Sequence, residues 1–218
     1  MGYPILIVGA TGTGKSTSLR NLPRDKTAVL NAELKPLPFK KNKFALNGNV
    51  VSTSQMIQAM KQLETRQDIE FVVLDSMTMY AGGPVYRELV EGVDGFEGWA
   101  SYKKHLTAII DQMKKSSKHY IVTALEEQTA DHNKVKTCTA SLQGSMKGGG
   151  LESHFSIVFR SMTIDDIDSP TGVSYKFATN KIPGERISAK SPMEMFSDLY
   201  INNDVVEAYK KIFEYYAE

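Results

Sequence analysis

The sequence predicts an α/β fold: a mostly parallel central sheet flanked by helices, with an antiparallel hairpin toward the C-terminus. Three observations predict it. The apolar run Pro4-Ile5-Leu6-Ile7-Val8 leads straight into Gly9-Ala10-Thr11-Gly12-Thr13-Gly14-Lys15-Ser16-Thr17, which fits GxxxxGK followed by Ser or Thr at every fixed position. A second apolar run, Phe71-Val72-Val73-Leu74, ends in Asp75-Ser76. Around both, buried-strand patterns alternate with stretches of helical periodicity, as strand–helix–strand units do.

The first run reads as a buried strand feeding a phosphate-binding loop. Gly9, Gly12 and Gly14 let the backbone curl so that successive N–H groups face inward, and the helix that follows adds its positive end. In that pattern Lys15 holds the β- and γ-phosphates and the Ser16 hydroxyl ligates Mg²⁺. A glycine-rich turn that binds nothing is the alternative, and the buried strand before it and the helix start after it both speak against that.

Pro23 closes the first helix, and Thr27-Ala28-Val29-Leu30-Asn31-Ala32-Glu33 reads as a second buried strand ending in an acid. Pro36, Pro38, Lys40, Lys41 and Lys43 mark an exposed basic connection, with a short strand at Phe44-Ala45-Leu46. Ser52-Thr53-Ser54 caps a helix whose Met56, Ile57, Met60 and Leu63 recur at helical spacing through about residue 67. The run at 71–76 has the Walker B pattern, a parallel strand whose terminal aspartate reaches Mg²⁺ through water. Residues 82–98 are rich in glycine and predict a mobile loop with one helical turn. Helix resumes from about Trp99 to Lys115, followed by a buried strand at His119–Leu125 and the polar Glu126-Glu127-Gln128.

From His132 to Leu151 there is no Asp or Glu, while Lys134, Lys136 and Lys147 are present among Gly144, Gly148, Gly149 and Gly150. That predicts a flexible, locally positive loop at the carboxyl end of a central strand, where open α/β sheets bind ligands. A strand at Phe155–Phe159, a turn through Asp165 to Gly172 and a partner strand at Val173–Phe177 form the hairpin. Asp165, Asp166 and Asp168 read as a solvated turn in preference to a metal cluster. Asn203 to about Tyr216 is an amphipathic helix, and no linker divides residues 1–218 into more than one domain.

Composition narrows the class further. Hydrophobic content of 41% and charged content of 23% describe an ordinary globular chain, and no eighteen-residue apolar run or signal pattern is present. The expected location is therefore the cytoplasm. One cysteine, Cys138, permits no internal disulfide, and His105, His119, His132 and His154 lack metal-ligand spacing. With 26 Lys+Arg against 25 Asp+Glu, any nucleic-acid contact must be made by local patches.

The order of these landmarks resembles the RecA superfamily of recombinase ATPases from residue 3 to about 190, and most closely its short phage members that carry only the ATPase core. The resemblance implies a RecA-like P-loop fold and assigns roles. Glu33 matches the acid that activates the attacking water, and Asp75 the Mg²⁺-linked aspartate. Gln128 occupies the place where the γ-phosphate is sensed. Lys181, in Asn180-Lys181-Ile182-Pro183, matches a lysine that reaches ATP bound by the neighbouring subunit. The stretches 82–98 and about 129–150 match the two DNA-contacting loops. Two features depart from the family: the first stretch carries Glu88, Glu91, Asp94 and Glu97 against Arg87 alone, and Thr179 stands where a second lysine is common.

The implied activity is Mg²⁺-dependent ATP hydrolysis at subunit interfaces of a filament or ring. It would be stimulated by single-stranded DNA held at Lys134, Lys136 and Lys147, in recombination or annealing alongside a single-strand-binding protein and away from membranes. Two other classes stay open on the residues alone: a P-loop small-molecule or nucleotide kinase, and a nucleotide-dependent switch or motor subunit in phage replication or packaging. Arg160 and Arg186 are the only arginines in the last third, few for the arginine-bearing lid of a kinase.

Overall fold

A computed structural model of the chain describes residues 1–130, 136–144, 150–187 and 189–217. In chain order the elements are β1 (Ile5–Gly9), a 3-10 turn (Thr17–Asn21), β2 (Thr27–Asn31), β3 (Leu46–Asn49), α1 (Thr53–Thr65) and β4 (Phe71–Asp75). Then come α2 (Met77–Tyr80), a π-helical segment (Ala81–Val85), α3 (Tyr86–Leu89), α4 (Gly95–Lys115), β5 (His119–Ala130) and β6 (Lys136–Ala140). The chain continues through a second 3-10 turn (Leu151–His154), β7 (Ile157–Asp165), β8 (Val173–Ala178), β9 (Arg186–Ile187), β10 (Tyr200–Asn202) and α5 (Val205–Tyr216).

Among the described residues these strands join in the order β10-β8-β7-β1-β5-β4-β2-β3, with β6 and β9 attached beside β5. The pairs from β7 across to β3 are parallel, while β8 and β10 are antiparallel. The sheet is covered on both faces, and side-chain alternation sorts the core into two layers. Leu6 and Val8 of β1 pack with α1 and α4 through Met56, Met60, Leu106 and Ile110. Ile5 and Ile7 face the other way, against Leu19, Val205, Tyr209 and Ile212. No helix among the described residues is long and apolar enough to cross a membrane.

Several local expectations need correction. The segment after the phosphate loop is a five-residue 3-10 turn and not a regular α-helix. Ser18 Oγ donates to the Lys15 carbonyl at 2.6 Å, a local bond that competes with helix continuation, and Pro23 soon ends the run. Residues 77–89 are helical throughout and pass through Pro84 by way of the π-helical segment. The loop expected at 82–98 is thus confined to residues 90–94 between α3 and α4, because Tyr80, Ala81, Val85 and Val90 are buried in the α1/α4 layer and hold the backbone in place, and α4 already begins at Gly95. Beyond Leu125, β5 leaves its parallel neighbours, and its residues Glu126–Ala130 pair antiparallel with Lys136–Ala140 of β6. The Asp165–Gly172 turn closes on itself, Asp166 N–H donating to the Gly172 carbonyl at 2.9 Å.

Candidate nucleotide site

The carboxyl ends of β1, β2 and β4 open on one side of the sheet because the strands run parallel, and β5 lies between β1 and β4. A cleft of about 370 Å³ forms there. It is lined by Thr11, Gly12, Gly14, Lys15, Ser16, Thr17, Glu33 and Asp75, together with Lys35, Pro38, Met79, Leu125 and Tyr175. Four side chains from three segments widely separated in sequence, Lys15, Ser16, Glu33 and Asp75, therefore share one site.

The loop itself is tightly tied. Gly12 and Gly14 take φ of 82° and 92°, the region L side chains avoid. Thr13 Oγ1 donates to the Ala10 carbonyl at 2.8 Å, and the Thr13 carbonyl accepts from Ser161 Oγ of β7 at 2.6 Å. Lys15 Nζ donates to the carbonyls of Gly9 and Ala10, each at 2.8 Å. Burial pulls the Lys15 pKa below its usual value, and the carboxylates of Asp75, Glu33 and Glu126 oppose that pull.

Asp75 is 5% exposed. Burial raises its pKa, while hydrogen bonds from Thr123 and Ser16 favour the charged form and the Glu33 charge adds to the rise. Thr123 Oγ1 reaches Asp75 Oδ1 at 2.5 Å. The Ser16 hydroxyl and the Asp75 carboxylate both line the cleft, two hard oxygen donors in one place, which suits Mg²⁺. Glu33 is held by Ser76 Oγ at 2.7 Å and faces Lys35 Nζ at 3.6 Å. Its position follows from β2 pairing with β4, since Ala32 and Glu33 both donate backbone N–H groups to the Asp75 carbonyl.

Other expected residues lie elsewhere. Gln128 is on the exposed extension of β5, donates its side-chain amide to Glu126, and does not line the cleft. Glu126 turns to Arg160, whose Nε donates to it at 2.9 Å and whose Nη1 donates to Glu185 at 3.0 Å. Burial works to raise the Glu126 pKa, but Arg160 and Gln128 outweigh it and hold the carboxyl low. Lys181 is exposed and outside the cleft. Lys136 opens β6, while Lys134 and Lys147 lie outside the described residues.

The sequence reading missed four contributors. Thr123 and Ser161 were readable in principle, because a hydroxyl inside an apolar strand needs a partner. Asn203 is 4% exposed and donates to Ser161 Oγ at 3.0 Å, bracing the loop from the segment before α5. Tyr175, on β8, comes to the cleft only through the hairpin, which no local pattern reveals.

An AAA domain profile matches residues 1–192. The chain belongs to the AAA domain family. Its fold is similar to the crystal structure of a KaiC-like protein from the hyperthermophilic archaeon Pyrococcus horikoshii OT3, with a TM-score of 0.50 at 12% identity over 84% of this chain and 80% of that one. A search of curated proteins finds no match. Family and fold together make this AAA protein a P-loop ATPase with a RecA-like core.

Proposed function

We propose that the AAA protein hydrolyses ATP in order to act on single-stranded DNA, in recombination or strand annealing, in the manner of core-only phage recombinases. The observation that carries the ATPase half is the convergence of Lys15, Ser16, Glu33 and Asp75 on one cleft. The phosphate loop would cradle the triphosphate, and Lys15 would exchange its two carbonyl partners for phosphate oxygens. Ser16 and Asp75 would hold Mg²⁺, which when bound offsets charge on the β- and γ-phosphates. Glu33, positioned by Ser76, would orient a water for in-line attack on the γ-phosphorus and take up its proton. Tyr175, 45% exposed at the mouth of the cleft, offers a flat surface to the base.

The exposed Lys181 suits a role in a neighbouring protomer of a filament or ring, where it would offset charge on the transferred phosphoryl group. Lys134, Lys136 and Lys147 remain the proposed DNA contacts of the 129–150 segment, and a single-strand-binding protein the proposed co-worker. The kinase alternative loses support from Arg160, whose guanidinium is engaged by Glu126 and Glu185.

Steady-state ATPase turnover with and without single-stranded DNA, at low and raised salt, tests the reading. Salt-sensitive stimulation is expected; turnover that ignores DNA, with no DNA binding, would remove the DNA half. Glu33→Gln should bind ATP normally and lose roughly 10²- to 10⁴-fold in turnover, as removal of a general base does. Unchanged turnover in that variant would take the catalytic role away from Glu33.

A further inference from the structure

Between Leu34 and Leu63 the sequence contains no Asp or Glu and carries Lys35, Lys40, Lys41, Lys43 and Lys61. The whole chain is balanced at 26 basic against 25 acidic residues, so this segregation is local. Four of the five lysines fall on the connection between β2 and β3. That connection is pinned from beneath. Leu37 and Phe44 are buried in the core, Phe39 packs edge-on to Phe44 with centroids 6.3 Å apart, and the Arg24 guanidinium stands 4.4 Å over the Phe44 ring. Asn42 Nδ2 donates to the Leu37 carbonyl at 3.1 Å, and Ala45 N–H to the Arg24 carbonyl at 2.7 Å.

With Leu37, Phe39 and Phe44 turned inward, the connection leaves Lys40, Lys41 and Lys43 exposed. Among the described residues none of the three has a hydrogen-bond or ion-pair partner. Lysines on α4 differ, since that helix also carries Glu97 and Asp111, and Lys114 pairs with Asp111 at 3.6 Å. The connection also starts directly after Glu33, and its Lys35 and Pro38 line the nucleotide cleft.

We propose that the β2–β3 connection is a contact surface for the backbone of single-stranded DNA, with Lys40, Lys41 and Lys43 meeting phosphates while Lys35 and Pro38 face bound nucleotide. The proposal rests on the single-stranded DNA reading above, and it places a contact on residues outside both glycine-rich segments. Three ammonium groups free of competing carboxylates suit a phosphate backbone. Phe39 is partly buried and turned to the core, so binding here is indifferent to base sequence and driven by counterion release. Because one short connection borders both ligands, DNA and nucleotide each restrain a segment that the other touches, and their affinities are reciprocally coupled.

Fluorescence anisotropy of a labelled oligothymidylate, titrated with the full chain at a series of salt concentrations, with and without Mg·ATP, tests this. The variant Lys40→Gln/Lys41→Gln/Lys43→Gln should flatten the log–log salt slope by about 2, or about 0.7 for each of three phosphates. Between about 50 and 200 mM salt, the wild-type chain should then lose about 16-fold more affinity than the variant. Melting temperature and ATPase turnover without DNA should stay at wild-type values, and Lys103→Gln/Lys104→Gln on α4 should bind as wild type. Should the triple variant prove unstable, Lys40→Gln/Lys43→Gln leaves Lys41, at φ 54°, in place and should still flatten the slope by about 1.4. If the wild-type chain binds with a salt-dependent slope that these variants reproduce, the surface is elsewhere and the DNA reading survives. If the wild-type chain binds no oligothymidylate at any salt, surface and reading fall together.

Discussion

Two glycine-rich stretches of this chain have opposite fates. In residues 9–14 Gly12 and Gly14 make a loop, whereas Gly82 and Gly83 are absorbed into a run of helix and Gly98 lies inside α4, leaving Gly92, at φ 75°, in the short link between α3 and α4. Composition does not separate them. What does is the demand placed on each backbone position: Gly12 and Gly14 occupy positive φ, while Gly82, Gly83 and Gly98 do not. In the second stretch Tyr80, Ala81, Val85 and Val90 are buried, and that burial sustains a helical path through Pro84. Glycine thus marks a loop only where no apolar face competes for the segment.

The sharpest way to break this comparison is to put a side chain at each kind of glycine. At Gly14, φ is 92°, and a Cβ would lie 3.0 Å from Tyr175 Cδ1 and 3.1 Å from Asn203 Oδ1. Gly14→Val should make the loop relax out of its phosphate-binding shape. Strain of about 1–3 kcal/mol would weaken ATP affinity roughly 5- to 150-fold. Calorimetric titration with ATP reads this directly, and wild-type affinity would show that the loop does not depend on that conformation.

Gly98 tests a different requirement, close approach. A Cβ there would stand 2.9 Å from the Leu89 carbonyl oxygen and 3.1 Å from Val90 Cα, both backbone. Gly98→Ala should therefore cost about 1–3 kcal/mol of overpacking, only partly offset by roughly 1 kcal/mol of helix propensity gained. Thermal unfolding should show a lower melting temperature with ATP affinity unchanged. A raised melting temperature would mean that α4 does not press on the end of α3 as described.

The same contrast explains what was legible in the sequence. The strands that lead to Gly9, Glu33 and Asp75 were readable because each couples a buried apolar run to a chemically distinctive end. So were α1, capped by Ser52 Oγ on Gln55 N–H, and α5, capped by Asp204. Strands β6, β9 and β10 were missed because two to five residues at a sheet edge carry no period long enough to count. The helical course of 77–89 was hidden because Gly82, Gly83 and Pro84 are local breakers, and only tertiary burial overrides them. Within the site, Lys15, Ser16, Glu33 and Asp75 announced themselves by motif. The Asn203–Ser161–Thr13 brace did not, for it joins residues up to 190 positions apart through side chains that any surface loop could carry.

The smallest effect is also the most discriminating. Gly82 is not at positive φ, lies in the π-helical segment, is separated from Pro84 by Gly83, and a Cβ there would stand 3.7 Å from the Gln143 side chain, an ordinary contact. If residues 77–89 are helical in solution, Gly82→Ala removes the entropy that glycine loses on entering a helix and meets Gln143 at no closer than ordinary van der Waals contact. It should stabilise the chain by roughly 0.5–1 kcal/mol, and for a chain of this length that raises the melting temperature by about 1–4 °C. A mobile loop at the same place would give no such gain, since its backbone is not fixed on folding and alanine would have no cost to relieve. The sign at Gly82 therefore separates an ordered helix beside the nucleotide cleft from a loop free to meet DNA.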